Sequence, residues 1–421
     1  MFDKEKLHAR LQHSLEYPVT FVKWLFCAVL TGVLCGSIGT AFHYAVDGAT
    51  YLRMSYPWLL YLLPVAGLLI VFSYRMAGVE RDPGTNLVIR SIRSSERIPL
   101  KMAPLIFFSA TLTHLCGGSA GREGAALQIG GSVGARRGRA LHLREKDLHV
   151  ITMCGMSALF SALFGTPVTA ALFCMEVISV GVVYYVALLP CLTAAITAQY
   201  VATFFGIEAI TFSISTVSIF SFSALPRVIV LAIACALVSI LFIVCIHRAE
   251  WLYHRFLPNG YLRAAVGGLL LIGLTLLVGT RDYNGTGMEI IGRAISGQAA
   301  PLAFLLKILF TALTIGAGFK GGEIIPTFFI GSTLGCALGG LLGLDPGFAA
   351  ALGLVGVFCG VVNCPLASLL LSIELFGSES LSLFALVCAI SYLLSGYYSL
   401  YAGQKIIYSK LRTEYINQDT H

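Results

Sequence analysis

The sequence predicts an all-α, polytopic integral membrane protein built from two inverted-topology repeats. Three observations carry that prediction. Of 421 residues, 57% are hydrophobic and only 12% charged, which is more apolar surface than a water-soluble fold of this size hides. The apolar residues fall into runs near the length that crosses a bilayer. The two halves also echo each other, with basic residues at opposite ends of equivalent segments.

Taken in order, Met1 to Glu16 is charged and lacks the short apolar core and cleavage site of a signal peptide. It reads as a cytoplasmic segment, residues 1–18, suited to lie along the bilayer. The first repeat covers residues 19–206. Its spans begin with Val19–Val46 and Pro57–Met76, and Thr85–Ile92 is too short to cross. Pro104–Leu115 leads into a glycine-rich loop and a helix that ends in Arg136, Arg137 and Arg139. His149–Phe164, a break at Gly165-Thr166-Pro167, a helix bearing Glu176, and Tyr184–Phe205 follow. Residues 207–226 form a mixed polar and apolar surface connection. The second repeat, residues 227–416, starts with a long helix, Arg227–Arg255. It continues through Arg263–Val278, Pro301–Ile315, a second glycine-rich loop at Gly318–Pro326, Phe348–Val361, a break at Asn363-Cys364-Pro365, and Leu381–Leu400. Residues 417–421 are a tail. No regulatory domain is expected after Tyr408, where few residues remain.

The repeat rests on matches in one order at nearly one offset. Pro167 and Glu176 stand 198 positions before Pro365 and Glu374. Ile129–Gly134 stands 201 before Ile330–Gly335, and Gly84-Thr85 and Leu112-Thr113 match Gly285-Thr286 and Leu313-Thr314 at the same spacing. The loop holding Arg136, Arg137, Arg139, Arg144 and Lys146 corresponds to Leu344–Gly347, which has Asp345 and no base. By the positive-inside rule the equivalent loops lie on opposite sides, with both basic termini cytoplasmic. Symmetric breaks in short helices are typical of transporters and channels, and unwound backbone at membrane depth belongs to a cavity or a protein interior.

The stretch Cys116–Gly130 contains Gly121-Arg122-Glu123-Gly124 and opens into an apolar helix. A carboxylate at that depth carries a functional expectation. A helix start offers unpaired N–H groups that suit an anion. The net charge of +7 points to no nucleic acid in a chain of this class. The twelve cysteines lie mainly in apolar runs without a CxxC pair, so inert thiols are expected, with no metal, cofactor or disulfide framework.

These residues resemble the CLC family of chloride channels and anion–proton antiporters, from about Phe21 to Leu411. Gly121–Gly124 matches the family's GREG signature, whose glutamate is the gating, proton-carrying carboxylate. Gly322-Glu323-Ile324-Ile325-Pro326 stands where the family has GxFxP, and Tyr408 matches the tyrosine that contacts the central anion. The resemblance implies a CLC-type fold and a homodimer with one pore per subunit in the plasma membrane. It implies halide anion, fluoride or chloride, exchanged for protons. Glu123 would be the gate, and Glu176 is a candidate for the proton path. The anion would be held by Pro83, Gly84, Thr85, Asn86, Ile324, Ile325 and Tyr408. Departures are informative. Pro83 replaces the serine of the family's first motif, and Val177 falls where chloride antiporters carry an internal glutamate. Gly321-Gly322-Glu323, Phe328-Phe329-Ile330-Gly331 and Phe164-Gly165-Thr166-Pro167 are closer to the fluoride-exporting branch.

Two other readings compete. A passive anion channel on the same fold can carry the same glutamate. An intramembrane serine hydrolase would use the G-x-S-x-G pattern around Ser119 with His43 or His114. Glu323 is expected to pair with Lys320 or to cap the helix start, and His114 to be a satisfied core histidine.

Overall fold

The computed structural model describes residues 4–79, 84–94, 96–214 and 224–420, with side chains from Glu16 onward. Pro83 therefore lies outside the described residues. The first half comprises α1 (Lys4–Ser55), α2 (Leu63–Met76), α3 (Thr85–Arg93), α4 (Met102–Leu115), α5 (Glu123–Ala140), α6 (Glu145–Phe164), α7 (Pro167–Glu176) and α8 (Leu188–Phe204). The second comprises α9 (Leu225–Phe256), α10 (Gly260–Val278), α11 (Met288–Ile295), α12 (Ala303–Gly316), α13 (Ile324–Leu342), α14 (Pro346–Val362), α15 (Pro365–Phe376) and α16 (Leu381–Leu394). Seven described helical segments are long and apolar enough to cross a membrane. α1 runs without a break through the boundary expected at residue 18.

Local chemistry explains the breaks. Proline opens α7, α9, α14 and α15, where a missing N–H costs nothing. Gly165 and Asn363 end α6 and α14 in the left-handed conformation, a helix stop that only glycine and asparagine adopt readily. The Asp345 side chain caps α14 by accepting from Phe348 N at 2.8 Å.

The interior is made by helix pairs that touch backbone to backbone. In α5 and α6, Gly130 and Gly155 each face the other's carbonyl oxygen, leaving no room for a Cβ on either. In α13 and α14, Gly331 and Gly353 do the same. The spacing Gly130–Gly134 and Gly331–Gly335 is the small-xxx-small pattern by which membrane helices approach closely. α5, α6, α13 and α14 are nearly all buried, whereas α1, α2, α8, α9 and α10 present stripes of exposed leucine, valine and aromatic side chains. That distribution suits a shell facing lipid around a packed centre.

Reciprocal contacts tie the halves together. Glu176, at the end of α7, accepts from Leu366 N at 3.2 Å and Ala367 N at 2.9 Å in the first turn of α15. Glu374, near the end of α15, accepts from Val168 N at 3.0 Å and Thr169 N at 2.9 Å in the first turn of α7.

The fold is not purely helical. β1 (Ser179–Val180), β2 (Lys405–Tyr408) and β3 (Tyr415–Asp419) form a sheet of that order, β1 parallel and β3 antiparallel to β2. The tail that ends the chain thus folds as strands, because Ile406, Ile407, Tyr408, Tyr415 and Ile416 favour extended backbone. The described part of the connection after α8, residues 207–214, runs partly exposed along the ends of two helices. Ile210 N donates to Phe164 O at 3.1 Å, and Phe212 N to Leu375 O at 2.9 Å.

Candidate functional site

The two glycine-rich loops meet. Gly121 N donates to Gly322 O at 2.6 Å, and Gly322 N returns a bond to Gly121 O at 2.7 Å. This pair brings the starts of α5 and α13 to one place. Glu123, the first residue of α5, is fully buried. The backbone N–H groups of Arg122 and of Glu123 itself lie within electrostatic reach of its carboxylate. That carboxylate accepts from Ile325 N of α13 at 3.2 Å, through Oε2, while Oε1 has no hydrogen-bond partner among the described residues. A Cβ at Gly121 would collide with Oε2, and one at Gly322 would lie 2.9 Å from it. Glycine is required here so that the carboxylate can fold back onto its own helix start.

Around this centre the structure brings together most of the sequence-predicted residues. Gly84 has φ 62° and precedes α3. The Thr85 hydroxyl donates to Gly124 O and accepts from Gln128 Nε2, each at 3.4 Å, so the start of α3 leans on the first turns of α5. Ile324 and Ile325 open α13 and are buried. Asn86 faces the tail instead, where its Oδ1 accepts from Gly403 N at 2.8 Å.

Tyr408 is not at this centre. It lies on β2, half exposed, with its ring 5.8 Å from that of Tyr415. Alternation along a strand directs it outward. Near the end of the described residues the buried tyrosine is Tyr401, whose hydroxyl has no partner among the described residues and lies within electrostatic reach of both Glu323 and Glu123. Sequence reasoning missed it because the local pattern at Lys405–Ser409 fitted the family better. Gln128, one turn into α5, was missed for want of any local signal.

Glu323 precedes α13 but makes no side-chain cap bond, and its Oε2 is buried without a partner. A Cβ on Gly124 would stand 3.3 Å from that oxygen, so two carboxylates flank Gly124. Glu176 is engaged at the start of α15 and makes no bond at the Gly121–Gly322 centre. The Val177 carbonyl accepts from Gln404 Nε2 at 2.9 Å. The Ser119 hydroxyl bonds to Thr311 Oγ1 at 3.1 Å, His43 bonds to Arg122 and Asp47, and His114 Nδ1 bonds to Ala110 O at 2.8 Å, with Nε2 unpartnered. No serine–histidine pair is assembled from these residues.

The family description "Voltage gated chloride channel" matches residues 66–396. The chain belongs to the voltage-gated chloride channel family. As a member of this family it is a multi-pass membrane transporter of anions and not an enzyme. It is 38% identical over 408 residues to the "Chloride/fluoride channel protein" of Pseudomonas syringae pv. tomato, covering 95% of this chain and 90% of that one. It superimposes on the crystal structure of a CLC-type fluoride/proton antiporter with a TM-score of 0.87 at 33% identity, covering 91% of this chain and 98% of the other. A slow cyanobacterial Cl⁻/H⁺ antiporter shares the fold, with a TM-score of 0.76 at 19% identity, covering 88% and 94%. The CLC fold expected from the glycine-rich loops is thus the observed one.

Proposed function

We propose that the protein exchanges fluoride for protons, with Glu123 as the gate. One observation carries the reading. The Glu123 carboxylate opens α5, is bonded to Ile325 N at the start of α13, and lies within electrostatic reach of the Arg122 and Glu123 backbone N–H groups, which is where an anion would bind. A bound anion and this carboxylate compete for the same donors. The side chain gives up its place most readily when it is protonated, so anion binding and proton uptake are linked. The donors proposed for the anion are the backbone at Gly84 to Asn86, Ile324 and Ile325, and the Tyr401 hydroxyl in place of that of Tyr408. Pro83 is retained in the set from the sequence alone.

Fluoride is favoured over chloride by the company the chain keeps. The relative from Pseudomonas syringae is named for chloride and fluoride, and the antiporter it superimposes on at 33% identity is a fluoride/proton one. The matched offsets and the reciprocal Glu176 and Glu374 bonds support two repeats. The distribution of arginine and lysine supports their inversion and cytoplasmic termini. We carry over the boundaries 19–206 and 227–416 for the repeats, and a homodimer with one pore per subunit.

The test is efflux from liposomes containing purified protein, with fluoride and chloride compared and external pH recorded. Fluoride efflux with proton uptake, with the coupling lost in Glu123→Gln, is the expected outcome. Chloride efflux of equal size would overturn the choice of ion. Anion movement without protons would make the protein a channel.

A further inference from the structure

We propose that His43 is a proton-operated positioning residue that sets how tightly Arg122 holds the start of α5, and through it how readily Glu123 leaves its donors. This inference rests on the reading of Glu123 as the gate. The three side chains form a closed cluster. Arg122 Nη1 donates to His43 Nδ1 at 3.0 Å and to Asp47 Oδ1 at 3.1 Å. His43 Nε2 lies 2.9 Å from Asp47 Oδ2. A guanidinium only donates, so Nδ1 must be the accepting nitrogen and Nε2 must carry the hydrogen that Asp47 receives. The arrangement therefore holds a neutral imidazole.

A second proton has one place to go, Nδ1, where it would point at an N–H of Arg122. Two donors and two positive charges would then face each other across 3.0 Å. No neighbouring group relieves this. On α4, His114 is the titratable group facing the cluster, and behind it stand Arg53 and Lys307. α6 contributes the Leu163 carbonyl, which already accepts from Arg122 Nη2 at 3.4 Å. Tyr44 next to His43 spends its hydroxyl on Phe205 O at 2.5 Å. Asp47 is the anion bonded to both side chains, while Glu123 acts on Arg122 only through space, so Asp47 then has two cations to serve. Imidazolium takes Oδ2 and guanidinium is driven from Nδ1.

Arg122 has little freedom to absorb this. Its side chain is nearly buried, and it is the residue at the mouth of α5 whose backbone lies within electrostatic reach of the Glu123 carboxylate. Displacing the guanidinium pulls on the residue that directly precedes the gate. The proton has a way in, because the Asp47 side chain is 54% exposed. It enters from the end of α1 opposite Lys23, which is the extracellular side in the orientation proposed above. Acid outside thus loosens Arg122 and frees Glu123 sooner.

The experiment measures fluoride efflux and proton uptake from liposomes while external pH is stepped downward from neutrality. His43→Gln offers one acceptor and one donor and cannot be protonated. Its rate near neutrality and its proton-to-fluoride ratio are expected to match wild type, while the acid-induced rise flattens toward a ratio of one. Asp47→Asn, which removes the anion that stabilises imidazolium, is expected to move the rise to lower pH with the coupling ratio unchanged. An acid response in His43→Gln superimposable on wild type would overturn the proposal. So would a rate lowered equally at every pH in both variants, since that marks a merely structural cluster. Failure of the gate reading is separate, since it shows as coupled transport persisting in Glu123→Gln.

Discussion

Replacing Glu176 tests whether its carboxylate is a structural cap or part of a proton path. It accepts two backbone N–H bonds from the first turn of α15, at 3.2 and 2.9 Å. A hydrogen bond to a charged group contributes about 1.5–3 kcal/mol, so the two sum to about 3–6 kcal/mol before any relief by solvent. Leu366 is exposed and Ala367 is buried. Water can take over at Leu366 N when the carboxylate is gone, which places Glu176→Ala near the lower end, about 3–4 kcal/mol. Glu176→Gln keeps one carbonyl oxygen and turns an amine toward the other N–H, for a loss of about 2 kcal/mol. Glu374 makes the same two bonds to α7 from a less buried position, so Glu374→Ala should cost less than Glu176→Ala. The assay is loss of ellipticity on heating in detergent, with proton and fluoride fluxes measured in parallel. The expected order of stability is wild type, then Glu374→Ala, then Glu176→Ala, with the proton-to-fluoride ratio intact in Glu176→Gln. A Glu176→Ala protein that melts like wild type would refute the cap. A stable Glu176→Gln that moves fluoride without protons would place Glu176 in the path.

Three further outcomes follow from the geometry. Tyr401→Phe should weaken fluoride binding by roughly tenfold or more, the worth of one donor to an anion, while Tyr408→Phe should match wild type in calorimetric titration. Gly155→Leu should prevent recovery of folded protein, because its Cβ falls on the Gly130 carbonyl; a folded, active variant would show that α5 and α6 can part. Lys410, in the tail beyond α16, bonds to Asn363 Oδ1 at 2.5 Å and Tyr392 O at 2.8 Å, and burial lowers its pKa to about 7. The unfolded chain then binds the extra proton between that value and the ordinary lysine range, so stability should rise as pH climbs from about 7 toward about 10. Lys410→Gln should flatten that rise in thermal melts across pH.

What was legible in the sequence was what is encoded locally or by repetition. The glycines around Glu123 and Glu323 announced two helix starts, and the matching prolines and glutamates announced related roles. The partners of those glutamates were not legible, since each caps a helix of the opposite half, and no pattern within one segment names a contact some 190 to 206 residues away. The two tail tyrosines show a different limit. Tyr401 and Tyr408 are close in sequence, and which one enters the core depends on the sheet that Ser179–Val180 forms with Lys405–Tyr408. That sheet joins a two-residue strand to a distant tail, and its alternation turns Tyr408 outward while the turn before it buries Tyr401. The segment around Gln404 acts as a strut. Gln404 reaches the carbonyls of Val177 and Val362 at 2.9 and 3.0 Å.

The site also shows why a transporter of this kind keeps full positive charges at arm's length. Two buried cations were available nearby and both are engaged elsewhere. The Lys307 ammonium is held by the carbonyls of Tyr283 and Gly285 at 3.2 and 2.7 Å. Arg122 is turned away to His43, Asp47 and Leu163. What remains at the centre is the partial charge of helix starts, about half an elementary charge each. A lysine there would hold a small anion, and equally the Glu123 carboxylate, too firmly for exchange in a low-dielectric interior. Neutral donors bind either one with an energy that a single proton on Glu123 can reverse. On the proposed reading α5 supplies some donors and α13 the others, joined at Gly121 and Gly322, so neither half would hold the anion alone. The pairing of the halves would then be a condition for binding.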